Sequence, residues 1–140
     1  MKDMICTATG ILGSIVAGFF GGWTSGMATL VILMAIDYFS GLIVAGVFNQ
    51  SAKSTSGGLE SKAGWKGLCR KFMTILFVGI AYRIDLALGT TYIQDAVIIG
   101  FMANELISIV ENAGLMGLPL PSIITKAIDI LKNKSEGGTE

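Results

Sequence analysis

The sequence predicts an all-α, polytopic membrane protein with three to four transmembrane helices and a short amphipathic C-terminal helix. Of its 140 residues, 52% are hydrophobic and only 14% are charged, and the mean hydropathy is +0.69. A soluble domain of this size has much surface for its core and needs more charge to cover that surface. Four separate apolar segments therefore indicate a chain that lipid largely surrounds.

The four apolar segments differ in how well they fit a bilayer. A bilayer core needs about 20 helical residues, and the segment 27–48 meets this length, whereas 72–88 and 96–110 are shorter and carry charges. The segment 9–23 is short and rich in glycine. If it spans, there are four crossings and both termini lie on the same side. If it lies in the interface, there are three crossings and the N-terminus is on the other side.

The distribution of charge predicts the orientation. The loop 49–71 carries five basic residues against one acidic residue, whereas the turn 88–95 has no basic residue. The positive-inside rule places the loop in the cytoplasm and the turn outside. We therefore expect a multi-pass protein of the bacterial cytoplasmic membrane, with the tail 119–140 returned to the cytoplasm.

The tail contains the pattern of an amphipathic helix. Two prolines, Pro119 and Pro121, separate it from the last apolar segment. Its apolar residues recur at helical spacing, and polar and charged residues fall opposite them. Such a helix lies on a membrane surface or on a partner helix. The apolar face comprises Ile123, Ile124, Ala127, Ile128 and Leu131.

The first segment carries small residues at every fourth position. Small residues at this spacing allow two membrane helices to approach closely. The pattern predicts self-association of several copies, and the alternative is packing against the next helix of the same chain. The residues of this row are Gly10, Ser14, Gly18, Gly22 and Gly26.

Ionisable residues lie within the apolar segments. An ionisable group at the bilayer centre costs a few kcal/mol, so it should face protein, water or an opposite charge. Asp37 and Glu105 are the strongest candidates for a functional role. Arg83 is the embedded base, and its pairing with one acid still leaves another to be accommodated. For Arg83, Asp85 and Glu111 the alternative is a position near the headgroups.

The residue types exclude most chemistry. The chain has no histidine and only two cysteines, Cys6 and Cys69, which favours neither a zinc site nor a disulfide framework. No phosphate-cradling loop accompanies the carboxylates. We therefore expect no catalytic residue, no metal and no cofactor, and we expect neither an enzyme nor a nucleic-acid partner.

Residues 34–46, 61–71 and 103–121 together resemble the phage-lysis and toxin-secretion holins of Gram-positive bacteria and their phages. Residues 34–46, MAIDYFSGLIVAG, resemble the family's Asp-Tyr-x-x-Gly motif. Residues 61–71, SKAGWKGLCRK, form the basic stretch before the next apolar segment, and residues 103–121, ANELISIVENAGLMGLPLP, resemble the family's ending. The residues that match are Asp37, Tyr38 and Gly41 in the first motif and Asn104, Glu105, Ser108, Glu111 and Asn112 in the last.

The resemblance implies a protein that accumulates in the cytoplasmic membrane and oligomerises with itself into lesions. These lesions release an endolysin or a toxin that has no signal peptide. Two alternatives stay open, an antiholin that regulates a holin partner and a small ion channel or transporter whose acids bind cations.

Overall fold

The computed structural model describes residues 1–137, which fold into five helices. These helices are α1 (Lys2–Phe20), α2 (Ser25–Gly46), α3 (Ser61–Leu88), α4 (Ile93–Leu115) and α5 (Ser122–Ser135). Residues 1–137 contain no strand, and the predicted all-α class is confirmed. Residues 138–140 of the predicted tail lie outside the described residues.

Three of the helices, α1, α2 and α4, are long and apolar enough to cross a bilayer. Large apolar side chains on their outer faces are exposed, including Leu12, Ile32 and Phe39. Soluble monomers rarely expose contiguous apolar surface on this scale, so the fold is that of a polytopic membrane protein. Most of the glycine-rich first segment therefore lies in α1, which is long and apolar enough to span a bilayer. The longer α3 is not among the three, and it carries charged residues towards both ends.

The core lies where α2, α3 and α4 meet. Met27, Leu30 and Met34 recur at intervals of three and four residues, so they line one face of α2. This face packs against Val78 of α3 and Ile98 of α4. The two helices α2 and α4 run parallel, because the N-terminal part of α2 lies beside Ile98 and its later part beside Asn112. The intervening α3 runs antiparallel to both.

The first helix is joined to the core at its C-terminal end. It ends at Gly21, whose φ of 75° is left-handed, and α2 begins after Thr24, whose hydroxyl accepts a hydrogen bond from the N–H of Met27. Phe19 lies against Gly79 of α3, where any larger residue would meet its ring. Further towards its N-terminus, α1 is separated from α2 and α3 by an apolar gap of about 610 Å³.

The structure begins α3 at Ser61, within the stretch that the sequence analysis assigns to the loop 49–71. Glycines weaken an isolated helix, yet here Gly64 and Gly67 face Tyr38 of α2. A Cβ added at Gly67 would lie 3.6 Å from the ring of Tyr38. Packing against α2 therefore favours helix where local propensity alone does not, and it brings Lys71 into the helical bundle.

The amphipathic helix α5 folds back along α4. A Cβ added at Gly100 would lie 3.8 Å from the Cβ of Ser135, which places the end of α5 beside the first half of α4. Of the predicted apolar face, Ile128 is buried, whereas Ile123 and Ile124 are exposed. The helix therefore packs on a partner helix of its own chain, and the cytoplasmic location of the tail stays a prediction.

Candidate functional site

The candidate site is a cluster of charged side chains between α2, α3 and α4. Asp37 lies one turn beyond Met34 on the core-facing side of α2, and it is 6% exposed. The Lys71 ammonium donates hydrogen bonds to the Asp37 carboxylate and to the Glu105 carboxylate, each at 2.7 Å. Only 15% of the Lys71 side chain and 13% of the Glu105 side chain are exposed to solvent. One ammonium thus joins two carboxylates on two different helices, and such charge-assisted bonds are the stronger kind.

The Asn112 side chain links α4 to α2 beside this cluster. Its amide donates hydrogen bonds to the backbone carbonyl and the carboxylate of Asp37, both at 3.3 Å, and to the hydroxyl of Ser40 at 2.9 Å. Asn112 is 5% exposed. A Cβ added at Gly41 would lie 3.7 Å from the Asn112 amide nitrogen, so Gly41 lets the two helices approach here.

A cavity of about 370 Å³ opens beside the cluster. The loop between α2 and α3 covers it and contributes Lys53, whose ammonium lies 3.9 Å from Asp37 and donates to the Ser108 hydroxyl at 3.3 Å. The buried hydroxyl of Ser54 has no hydrogen-bond partner within residues 1–137. The cavity wall also includes Asn104 and Tyr38. The structure therefore brings together most of the polar residues from the two motifs around one polar space.

Arg83 is not part of this cluster. It is exposed, and it forms no ion pair within residues 1–137. Twelve helical positions separate it from Lys71, which is roughly 18 Å along α3 at the rise of an α-helix. The antiparallel course of α3 brings Lys71, and not Arg83, level with Asp37 and Glu105. The expectation that Arg83 supplies the embedded base is therefore corrected, and Lys71 has that position. Glu111 is also exposed, away from the cluster.

Asp85 joins the end of α3 to the start of α4. Its carboxylate accepts hydrogen bonds from the Thr90 hydroxyl at 2.6 Å and from the backbone N–H groups of Ile93 and Gln94 at 3.0 and 2.9 Å. These N–H groups are in the first turn of α4 and have no partner within the helix. The Gln94 side chain in turn donates to the carbonyl of Phe20. Asp85 thus has a structural capping role.

The predicted row of small residues does not continue along one helix, and that expectation is corrected. Gly10, Ser14 and Gly18 lie on α1, but α1 ends at Phe20, so Gly22 lies in the following turn with a φ of 97° and Gly26 lies on α2. A Cβ added at Gly10, Gly18 or Gly22 would meet no atom within 4 Å, and only Gly26 approaches another helix, at Ile98. The Ser14 hydroxyl donates to the backbone carbonyl of Ile11 in its own helix. Within the described part of the chain, the first three glycines of the row therefore take no part in packing.

Sequence reasoning missed Lys71, Lys53 and Gln94. Lys71 had a recognisable signal, because it lies one helical turn before Thr74 and two before Val78, on the face that Val78 buries. Extending the helix backwards from Phe72 would have placed it inside. Lys53 had no such signal in the sequence, because its position depends on how the loop folds. In residues 1–137 no group of three His, Cys, Asp or Glu side chains could hold a metal ion.

The helices and the buried charge cluster define the class: a polytopic α-helical membrane protein with an internal ion-paired site. The bacteriophage holin family matches residues 14–133, and the chain belongs to this family. Uncharacterised proteins of Listeria monocytogenes and Halalkalibacterium halodurans are 40% and 36% identical, and the alignments cover 90% and 94% of this chain and 86% and 96% of the relatives. The resemblance to holins is confirmed.

A relative with a functional name comes from Bacillus phage phi105. This probable holin is 29% identical over 112 residues, which are 79% of this chain and 77% of the phage protein. No solved structure matches the chain.

Proposed function

We propose that this protein is a holin, a non-enzymatic protein that oligomerises in the bacterial cytoplasmic membrane and forms lesions that release an endolysin. The observation that carries the proposal is the buried Asp37–Lys71–Glu105 cluster in a chain that belongs to the holin family. A lesion that passes a folded protein must be lined by polar surface. The packed helices hold such groups in paired form, away from lipid.

The energetics of buried ion pairs suit a switch between two states. Such pairs add little net stability compared with an apolar core, because desolvation offsets much of the attraction. If α2, α3 and α4 separate and face water, Asp37, Lys71 and Glu105 regain hydration, and the loss of the pairs costs little. The same helices can then line an aqueous opening. Facing lipid without partners, these charges would cost several kcal/mol, so the open state requires neighbouring copies around water.

We propose that α1 supplies a contact between copies. Its glycines at positions 10 and 18 have no neighbour in the monomer, and small residues at this spacing allow close helix approach. We also propose that the N-terminus and the loop between α2 and α3 are cytoplasmic, since Lys53 on that loop and the basic residues at the start of α3 are concentrated at the joined ends of α2 and α3.

The test is inducible expression in a bacterium with and without a co-expressed endolysin that has no signal peptide. A holin stops growth abruptly after a delay and releases the endolysin, so the culture lyses only when both proteins are present. Co-expression of a toxin that has no signal peptide, in place of the endolysin, tests whether the lesions release a toxin. Continued growth with both proteins would refute the proposal.

The same experiment separates the alternatives. A chain that delays lysis by a second, co-expressed holin and does not lyse alone would be an antiholin. A chain that changes ion flux into cells while the endolysin stays inside would be a channel or transporter. Neither alternative is favoured by a particular contact in residues 1–137.

A further inference from the structure

The charge cluster includes a fourth group that does not come from a helix. Lys53 lies on the loop between α2 and α3, and its ammonium is 3.9 Å from one Asp37 oxygen while Lys71 binds the other. The Lys53 side chain is 50% exposed, compared with 8% for Asp37. Lys53 thus reaches from solvent to a buried carboxylate.

The balance of charge depends on Lys53. Asp37 and Glu105 contribute two negative charges, and Lys71 contributes one positive charge that both carboxylates share. With Lys53 in place the four groups sum to zero, and without it one negative charge is left over in the packed bundle. An unbalanced buried charge is strongly unfavourable.

The loop holds Lys53 loosely compared with the helices that hold the other three groups. Most side-chain hydrogen bonds of this loop are internal, such as those that Thr55 and Ser56 donate to Glu60. Within residues 1–137, the hydrogen bond from Lys53 to Ser108 is the loop's only side-chain hydrogen bond to α4. A long, half-exposed lysine stem loses considerable conformational freedom when it is held in one position. Lys53 is therefore the member of the cluster that leaves most readily.

We propose that Lys53 times lesion formation by neutralising the cluster. This inference rests on the proposed holin function and assigns a regulatory residue to its site. While Lys53 lies against Asp37, α2, α3 and α4 stay packed as a neutral unit. When Lys53 moves into solvent, the surplus negative charge favours separation of the helices. The loop thus acts as a removable counter-charge on the cytoplasmic side.

The test compares lysis times after induction for Lys53→Met, Lys53→Arg and the matched control Lys62→Met, at equal protein levels measured by immunoblot. Lys62 is an exposed lysine of the same basic stretch. A half-exposed ion pair contributes about 1 kcal/mol, equivalent to about a fivefold change in rate. We expect Lys53→Met to trigger lysis about fivefold faster than wild type. Lys53→Arg and Lys62→Met should keep the wild-type time.

A double variant separates charge balance from a merely structural effect. Asp37→Asn combined with Lys53→Met removes one charge of each sign and leaves Lys71 paired with Glu105. We expect this double variant to lyse later than Lys53→Met alone. Equal times for Lys53→Met and Lys62→Met, or no delay in the double variant, would overturn the proposal.

A second readout applies even if the proposed function fails. Should the wild-type chain never lyse cells, the holin proposal is wrong, and the thermal unfolding midpoints of the same purified variants in detergent then test the charge inference. The double variant must then unfold at a higher temperature than Lys53→Met. The reverse order would refute the role of Lys53 as counter-charge.

Discussion

The ammonium of Lys71 lies 2.7 Å from a carboxylate oxygen of Glu105, which joins α3 to the middle of α4 in the interior of the bundle. Because the same ammonium also binds Asp37, its removal would leave two carboxylates facing each other with little water to screen them.

We therefore expect Lys71→Met to destabilise the folded protein by about 3–5 kcal/mol, the usual cost of breaking a buried pair from one side. The midpoint of thermal unfolding in detergent, followed by circular dichroism, measures this. Lys66→Met is the matched control, since Lys66 lies on the same helix and is exposed. Equal midpoints for the two variants would show that the cluster does not hold α2, α3 and α4 together.

The capping role of Asp85 predicts a local effect at the turn before α4. Asp85→Ala removes the acceptor for the N–H groups of Ile93 and Gln94, so both amides should exchange with deuterium faster than in wild type. Asp95→Ala is the control, because Asp95 lies in the first turn of the same helix but is exposed. If Asp95→Ala accelerates exchange at these two amides as much as Asp85→Ala does, the assigned role of Asp85 is wrong.

The open row on α1 predicts variants that separate folding from self-association. Gly10→Leu and Gly18→Leu add side chains where the monomer has no neighbouring atom, so the unfolding midpoint should stay at or above that of wild type. Chemical cross-linking in membranes should yield fewer oligomers, and lysis should be delayed. Ala8→Leu introduces the same side chain on a different face of α1 and should leave oligomers unchanged. Normal cross-linking of the glycine variants would exclude this row as a contact between copies.

The loop should respond to pH through Glu60. Hydrogen bonds from the Ser56 hydroxyl, the Ser56 N–H and the Thr55 hydroxyl hold the pKa of Glu60 below its ordinary value. A lowered pKa in the folded state means that this contribution to loop order is present above the ordinary pKa and is lost as the pH falls through the folded-state value.

A spin label on the cysteine of Ala52→Cys, in a chain whose Cys6 and Cys69 are replaced by serine, measures the order of the loop. Its mobility should be low at neutral pH and rise as the medium becomes acidic. In Glu60→Ala, which has no side-chain acceptor for the hydrogen bonds from Thr55 and Ser56, mobility should be high at both pH values. A label whose mobility is the same in wild type and Glu60→Ala at neutral pH would contradict this account.

The sequence predicts the class of fold and part of the site, for reasons that particular residues illustrate. Asp37 and Glu105 could be selected because an acid within an apolar segment is costly wherever the helix lies. Their partner could not be selected in this way. Lys71 stands at the border of an apolar segment, where a lysine ordinarily reaches the headgroups, and the packing of Gly64 and Gly67 against Tyr38 continues the helix on its N-terminal side.

The roles of Arg83 and Asp85 depend on helix register and on turns, which periodicity does not encode. Arg83 lies in the more apolar part of α3, but the antiparallel alignment puts it far from both acids. Asp85, like Asp37, is an acidic residue within an apolar segment, yet the short turn to α4 directs its carboxylate to free backbone N–H groups. A charge within an apolar segment therefore marks a polar contact without specifying whether that contact is functional or structural.

The division of the ion cluster among three helices has a consequence for biogenesis. On the proposed topology, α2 with Asp37 is synthesised before α3 with Lys71, and α4 with Glu105 follows both. Each newly inserted helix is therefore incomplete as a membrane segment until its successor arrives. Premature termination before α3 would leave a carboxylate stranded in hydrocarbon, and such a fragment should be a substrate for membrane proteases.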